Sequence, residues 1–309
     1  MATTQTQQTT QSFIGAAFVL LSAVAFSSKA VMVKLAYAYD VDVETLLLLR
    51  MAFSAPFYLG IAVWLFFAGK VDHLERRDLL ALVLLGAVGG YLPMWLDFAG
   101  LAYVSAGLER IILFVYPTMV VLISAVVFGR TIGRQEVVAL MLSYVGVAVA
   151  ASGDALAVGQ LTPQMLLGAG LVFASALTYA GYLVASGKLI PKLGVLPFTA
   201  CIMLVASITA TAHYLVLPHQ AGLTGLPVKV YGIALMMAVV ATVLPSFLLS
   251  AGIHRIGSSR AALVGTIGPV STIYLAYEFL GEGVTLLQVA GTACVMAGVF
   301  AITMRPGRR

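Results

Sequence analysis

The stretch LPMWLDFAG at residues 92–100 decides how this chain is read, because LPSFLLSAG stands at 244–252, an offset of 152. Working outward at the same offset, Pro117 matches Pro269, Gly129 matches Gly281, and Gly146-Val147 matches Gly298-Val299. At an offset of 153, Gly15 and Ser22-Ala23 match Gly168 and Ser175-Ala176. Each half carries five apolar stretches of about 20 residues, the length that crosses a bilayer. A unit with an odd number of spans, followed by its own copy, enters the membrane the second time from the opposite face. The expected fold is therefore an all-α polytopic membrane protein, with ten transmembrane helices arranged as two inverted five-helix repeats (5+5). Many secondary transporters enclose a central site this way.

Composition agrees. Hydrophobic residues make up 61% of the 309 and charged residues 9%, with a mean hydropathy of +1.04. Soluble domains carry about 25% charged residues. The spans are placed near 13–37, 46–68, 79–102, 106–128, 135–153, 163–187, 196–217, 230–253, 260–280 and 285–304. The first repeat covers 13–154 and the second 163–304, between a polar tail at 1–12 and a basic tail at 305–309. The first tail lacks the basic start of a signal peptide, so the first span is expected to be retained. Cys201 and Cys294 both fall inside spans, which argues against a disulfide framework.

Lys70, Arg76, Arg77, Arg130, Arg134, Lys188, Lys192, Arg255, Arg260, Arg305, Arg308 and Arg309 share the side of the two termini. Basic loops stay inside, so both termini are expected in the cytoplasm of the cell (inner) membrane. Against anionic lipid this rim needs no nucleic acid as partner.

Five charges fall within spans of the first half: Lys29, Arg50, Asp97, Glu109 and Arg110. Their counterparts, Tyr182, Met203, Leu249, Ala261 and Ala262, are uncharged. All five lie beyond the midplane on the side away from the termini, by about 5–12 Å at 1.5 Å per residue. Exposure to lipid there costs at least about 2.5–3.5 kcal/mol. Two arrangements follow: the charges pair off and lock the outer half, or they line a wet vestibule. Arg50 and Arg110 also have the option of snorkelling to the headgroups, as does Lys34. Tyr91 and Trp95 in the third span, Tyr116 in the fourth, Tyr179 and Tyr182 in the sixth, and Tyr274 and Tyr277 in the ninth offer an aromatic lining. Pro93, Pro117, Pro245 and Pro269 weaken their helices at related points, as hinges would.

Pro269, Leu280-Gly281-Glu282, Thr285, Gln288, Gly291 and Gly298-Val299 resemble the EamA domain of the drug/metabolite transporter superfamily. The first half is similar at Pro117, Gly129, Gln135 and Gly146-Val147, with Arg130 where the turn glutamate belongs. Arg50 sits where that domain usually carries an arginine. The resemblance implies ten helices in a basket around a cavity, and export or import of amino acids, other metabolites or drugs. Glu282 and Arg130, at opposite faces, are expected to be topology features rather than partners.

The functional expectation is an exporter of a small polar metabolite, an amino acid or related carboxylate, working by alternating access. The substrate-binding candidates are Lys29, Arg50, Tyr91, Trp95, Arg110, Tyr116, Tyr182 and Tyr274. Asp97 or Glu109 is the candidate for proton coupling. Drug-like or nucleoside substrates, a channel, or a non-transporting scaffold are the alternatives. Neither cofactor nor metal is expected, and monomer and homodimer stay open. No G-x-x-x-x-G-K-[ST] loop is present for ATP. His73, His213, His219 and His254 are scattered without H-E-x-x-H spacing, which argues against an enzyme.

Overall fold

Backbone in hydrocarbon finds no water to bond, so apolar runs of this length close their hydrogen bonds as helices. The computed structural model describes residues 2–69, 75–129, 131–160, 162–216, 222–256, 261 and 264–303. Side chains are described from residue 13 onward, except at 157, 158, 188, 302 and 303. Lys70, His73, Arg130, His219, Arg260, Ala262, the 305–309 tail and the Lys188 side chain lie outside this description.

The order is α1 (Ala2–Tyr37), α2 (Val43–Phe67), α3 (Arg76–Leu101), α4 (Ala106–Phe128) and α5 (Arg134–Val158). It continues as α6 (Pro163–Leu193), α7 (Val195–Val216), α8 (Val228–Ile256), α9 (Ile267–Leu280) and α10 (Leu286–Thr303). Among the described residues there is no strand, and eight helices, α1 to α8, are long and apolar enough to cross a membrane. α9 and the apolar run of α10, Leu286–Ala301, are shorter. The polar segment expected as a tail continues α1 back to Ala2.

Helix ends follow from local chemistry. Asp42 accepts from the Thr45 amide at 2.7 Å, Ser105 from Leu108 at 3.0 Å and Thr162 from Met165 at 3.1 Å, each capping a first turn. Gly129 and Gly281, one repeat apart, stop α4 and α9 with φ of 64° and 67°, which side chains adopt only with strain. The prolines expected as hinges stand beside irregularities that recur in both halves. α3 widens to a π-helix over Leu85–Tyr91 and α8 over Val239–Val243, each running into its Leu-Pro. A proline removes one hydrogen bond and crowds the carbonyl four residues back, which a wide turn relieves. α4 is interrupted at Phe114 and Val115, ahead of Pro117, and α9 starts after a turn at Thr266, ahead of Pro269.

Packing is reciprocal. α1 lies on α8 and α9, as α6 lies on α3 and α4. The Ser22 hydroxyl donates to the Pro245 carbonyl at 2.8 Å, and Ser175, its counterpart, donates to the Pro93 carbonyl at 2.7 Å. Where α1 crosses α8, a Cβ built on Gly252 would stand 3.0 Å from the Gly15 carbonyl oxygen. Where α6 crosses α3, one built on Gly100 would stand 2.9 Å from that of Gly168. At the α5–α10 contact the relation closes on itself. A Cβ on Gly146 would lie 2.7 Å from the Gly291 carbonyl, and one on Gly298 would lie 2.6 Å from that of Ala139, residues again 152 apart. Lipid gives helices no hydrophobic reason to associate, so such close backbone approach provides the dispersion contact that holds them.

Candidate functional site

Helix α1 carries Lys29, α3 carries Asp97 beyond its wide turn, and α4 carries Glu109 in the turn that Ser105 caps. The three side chains meet. Lys29 Nζ is paired with Asp97 Oδ2 and lies 3.0 Å from Glu109 Oε1. All three are buried, Glu109 completely. The Asp97 and Glu109 carboxyl groups lie within hydrogen-bonding reach of each other, and Asp97 Oδ1 and Glu109 Oε2 meet no donor side chain.

Arg50 extends the row on one side and Arg110 on the other. Arg50 is buried, not turned to the headgroups as snorkelling requires. Its Nε donates to Thr242 Oγ1 at 3.1 Å, its guanidinium lies 5.3 Å from the centre of the Phe98 ring, and its Nη1 has no partner. Thr242 belongs to the wide turn of α8 and itself donates to the Met237 carbonyl at 2.9 Å. Arg110 donates through Nη2 to Ser27 Oγ at 3.3 Å, while its buried Nε is unpartnered. Ser27 donates in turn to the Gly268 carbonyl at 2.9 Å, and a Cβ on Gly268 would stand 3.2 Å from Arg110 Nη2. Arg50 acts electrostatically on Asp97, and Arg110 on Glu109. The sequence left open whether these five charges pair or line a vestibule; the geometry has the central three paired. Of the two hollows described, one is lined by Tyr58, Thr199, Ser246 and Ser250 and the other by Gly107, Ile273, Glu282 and Gln288, so neither is lined by Lys29 or Asp97.

The aromatic candidates divide. Tyr116 and Tyr179 meet edge to face at 5.2 Å, Tyr179 stacks on Tyr182 at 5.8 Å, and Tyr182 on Phe198 at 6.2 Å. Tyr182 also fills the space that Gly89 leaves open in the wide turn of α3. Tyr91 and Trp95 turn elsewhere. Trp95 Nε1 donates to Glu44 at 3.0 Å, the Tyr91 hydroxyl bonds His213 Nδ1, and His213 meets the edges of both rings. Tyr274 and Tyr277 are 62% and 58% exposed and stand outside the stack.

Sequence reasoning dismissed His213 as one of four scattered histidines, since its partners are 118 and 122 residues away. It also missed Asp154, which accepts from the Ser105 hydroxyl and from Gln288 Nε2. The available signal was an acid in the last turns of a long apolar helix. Glu282 serves as a helix-end residue, accepting from the Ala106 and Gly107 amides at 2.9 and 3.3 Å.

Known proteins resemble this chain over most of its length. "Uncharacterized transporter YcbK" of Bacillus subtilis (strain 168) is 32% identical over 300 residues, spanning 93% of this chain and 91% of its own. "Uncharacterized transporter YyaM" of the same organism is 22% identical over 80% of this chain and 82% of its own. A solved crystal structure superposes with a TM-score of 0.62 at 17% identity, covering 96% of this chain and 98% of that one, a likeness of fold. The EamA-like transporter family matches twice, at residues 13–152 and 166–304. The chain therefore belongs to the EamA-like transporter family.

Proposed function

We propose that the protein is a secondary transporter with ten spans in two inverted five-helix repeats, set in the cell (inner) membrane with both termini in the cytoplasm. Its substrate is a small polar metabolite, an amino acid or related carboxylate, moved outward by alternating access. Arg76, Arg77, Arg134, Lys192 and Arg255, at helix ends on the side of the termini, support the orientation.

One observation carries the substrate class. Arg50, Asp97, Lys29, Glu109 and Arg110 form a row of three cations and two anions, buried except for the half-buried Arg110, and four of its members keep a buried polar atom without a complementary partner. Unmade hydrogen bonds at buried charges are expensive, and a zwitterion answers both kinds. Its carboxylate would take donors from Arg50 or Arg110, and its ammonium would take Asp97 Oδ1 and Glu109 Oε2. Asp97 or Glu109 would carry the coupling proton once Lys29 is displaced. Tyr116 and Tyr182 are the proposed aromatic lining, Tyr91, Trp95 and Tyr274 standing apart from them, and Pro93, Pro117, Pro245 and Pro269 are the proposed hinges.

The test is counterflow in proteoliposomes against a panel of amino acids and carboxylates. A saturable exchange, lost in Asp97→Asn and Lys29→Met while both variants still assemble, is the expected result. Flux without saturation would make the protein a channel, and no flux with any solute a scaffold. The aromatic stack from Tyr116 to Phe198 favours a second reading, a substrate with a flat ring such as a nucleoside or drug-like compound. The same panel separates the two.

A further inference from the structure

At the end of the bundle away from the termini, a second polar patch ties the repeats together. The Ser105 hydroxyl and Gln288 Nε2 donate to the two oxygens of Asp154, which is 7% exposed, as Gln288 is 4% exposed. The Glu282 carboxylate grips the first two amides of α4, where an anion also meets the positive end of the helix. Thr285 and Gln288 bond each other's main chain at 3.1 and 3.3 Å, which fixes the first turn of α10 beside α5. Lys34 acts electrostatically on both Glu282 and Asp154, so it faces this patch. The first repeat contributes Lys34, Ser105, Asp154 and the amides; the second contributes Glu282 and Gln288.

The positions one repeat away do not carry the residues that make these bonds. One repeat away from Ser105, Asp154, Glu282 and Gln288 the sequence reads Gly257, Pro306, Arg130 and Glu136. Neither the hydroxyl nor the bridging carboxylate has a counterpart, and Glu136 accepts from the Gly133 amide of its own helix start at 2.8 Å. Two repeats that rock against each other are related by symmetry, and their two closed states would otherwise be nearly equal in energy. At the other end the described residues join the repeats through the largely exposed pair Lys192–Asp78, and a buried lock set against an exposed ion pair biases the two states.

We propose that Ser105, Asp154, Glu282 and Gln288 form an outer latch between the repeats, which holds the outward entrance shut in the resting protein. Its place in a transport cycle rests on the transporter reading; the lock itself does not. Opening it exchanges these bonds for bonds to water and parts the buried surfaces around them, so outward opening is favoured by something that binds the open state more tightly. This makes the inward-open state the ground state and substrate the trigger.

The test uses the full chain in proteoliposomes with Cys201 and Cys294 changed to Ser. Ala276→Cys places a thiol on the hollow beneath Glu282 and Gln288, and Thr199→Cys places one on the hollow at the opposite end. Labelling rates with a membrane-impermeant maleimide are then compared with and without Gln288→Leu or Asp154→Asn. The latch predicts labelling from outside at 276 that is at least fivefold faster, and labelling from inside at 199 that is slower. An unchanged rate at 276 in both variants overturns the latch. So does a rise at both positions, which reads general loosening rather than rocking. Counterflow on the same vesicles separates the two readings. A reciprocal shift in labelling with no flux in the parent would sink the transporter reading and leave the latch standing.

Discussion

Lys29 contacts two buried carboxyl groups at once, so its removal costs more than one salt bridge. Breaking a buried pair from one side costs about 3–5 kcal/mol, because the remaining charge stays in low dielectric. Lys29→Met is therefore expected to lower the detergent-solubilised melting temperature substantially. Adding Asp97→Asn and Glu109→Gln removes the orphaned charges, and the triple variant should regain most of the loss. Thermal unfolding of the set measures this, and a triple variant no more stable than the single would show that the three groups do not act as a unit. These residues were legible in the sequence because a charge inside an apolar span has few places to rest. Asp154 and His213 were not, since each gains its meaning from partners more than a hundred residues away in the chain, or at a helix end that reads as loop.

Helices here meet through glycines placed where two backbones nearly touch. On Gly298 a Cβ would fall 2.4 Å from Ser143 Oγ and 2.6 Å from the Ala139 carbonyl, so α5 and α10 would have to part. Gly298→Val should destabilise by a few kcal/mol, the range typical of overpacking a tight contact. Gly170→Ala, with nothing within 4 Å, should be neutral or slightly stabilising. Melting curves of the two variants decide this. Loss of one buried serine bond removes about 1 kcal/mol, and the reciprocal geometry predicts equal losses for Ser22→Ala and Ser175→Ala. A gap of more than about twofold between them would mean that the two crossings are not equivalent. Prolines, glycine stops and caps could be read from the sequence. The wide turns could not, because a hydrogen bond lengthened by one residue leaves no trace in composition.

On the scale of the molecule, the offset of 152 proved the most telling signal, since the backbone crossings of α1 on α8 and of α6 on α3 recur under exchange of the halves, and that of α5 on α10 maps onto itself. The span limits were less exact: α2 and α3 begin three residues earlier than expected, and α6 runs on to Leu193, within one residue of α7. What composition could not reveal is that Lys29, Asp97 and Glu109 close on one another. Lys192 Nζ lies 3.0 Å from Asp78 Oδ1, which joins the starts and ends of helices from different repeats on the side of the termini. Arg77→Cys and Lys192→Cys should therefore be labelled from the same face of sealed, right-side-out vesicles, and only after permeabilisation. Labelling from opposite faces would dismantle the inverted arrangement.

The wide turn of α3 has a further consequence. A π segment is an α-helix with a residue inserted, and each residue advances the helix by about 100°. Leu85–Tyr91 thus sets the angular phase between the lower part of α3, which packs on α7, and the upper part, which points Asp97 at Lys29. Deleting Val88 would restore an unbroken α-helix and swing the carboxylate roughly a quarter turn away from the ammonium, although no residue of the charged row had been touched.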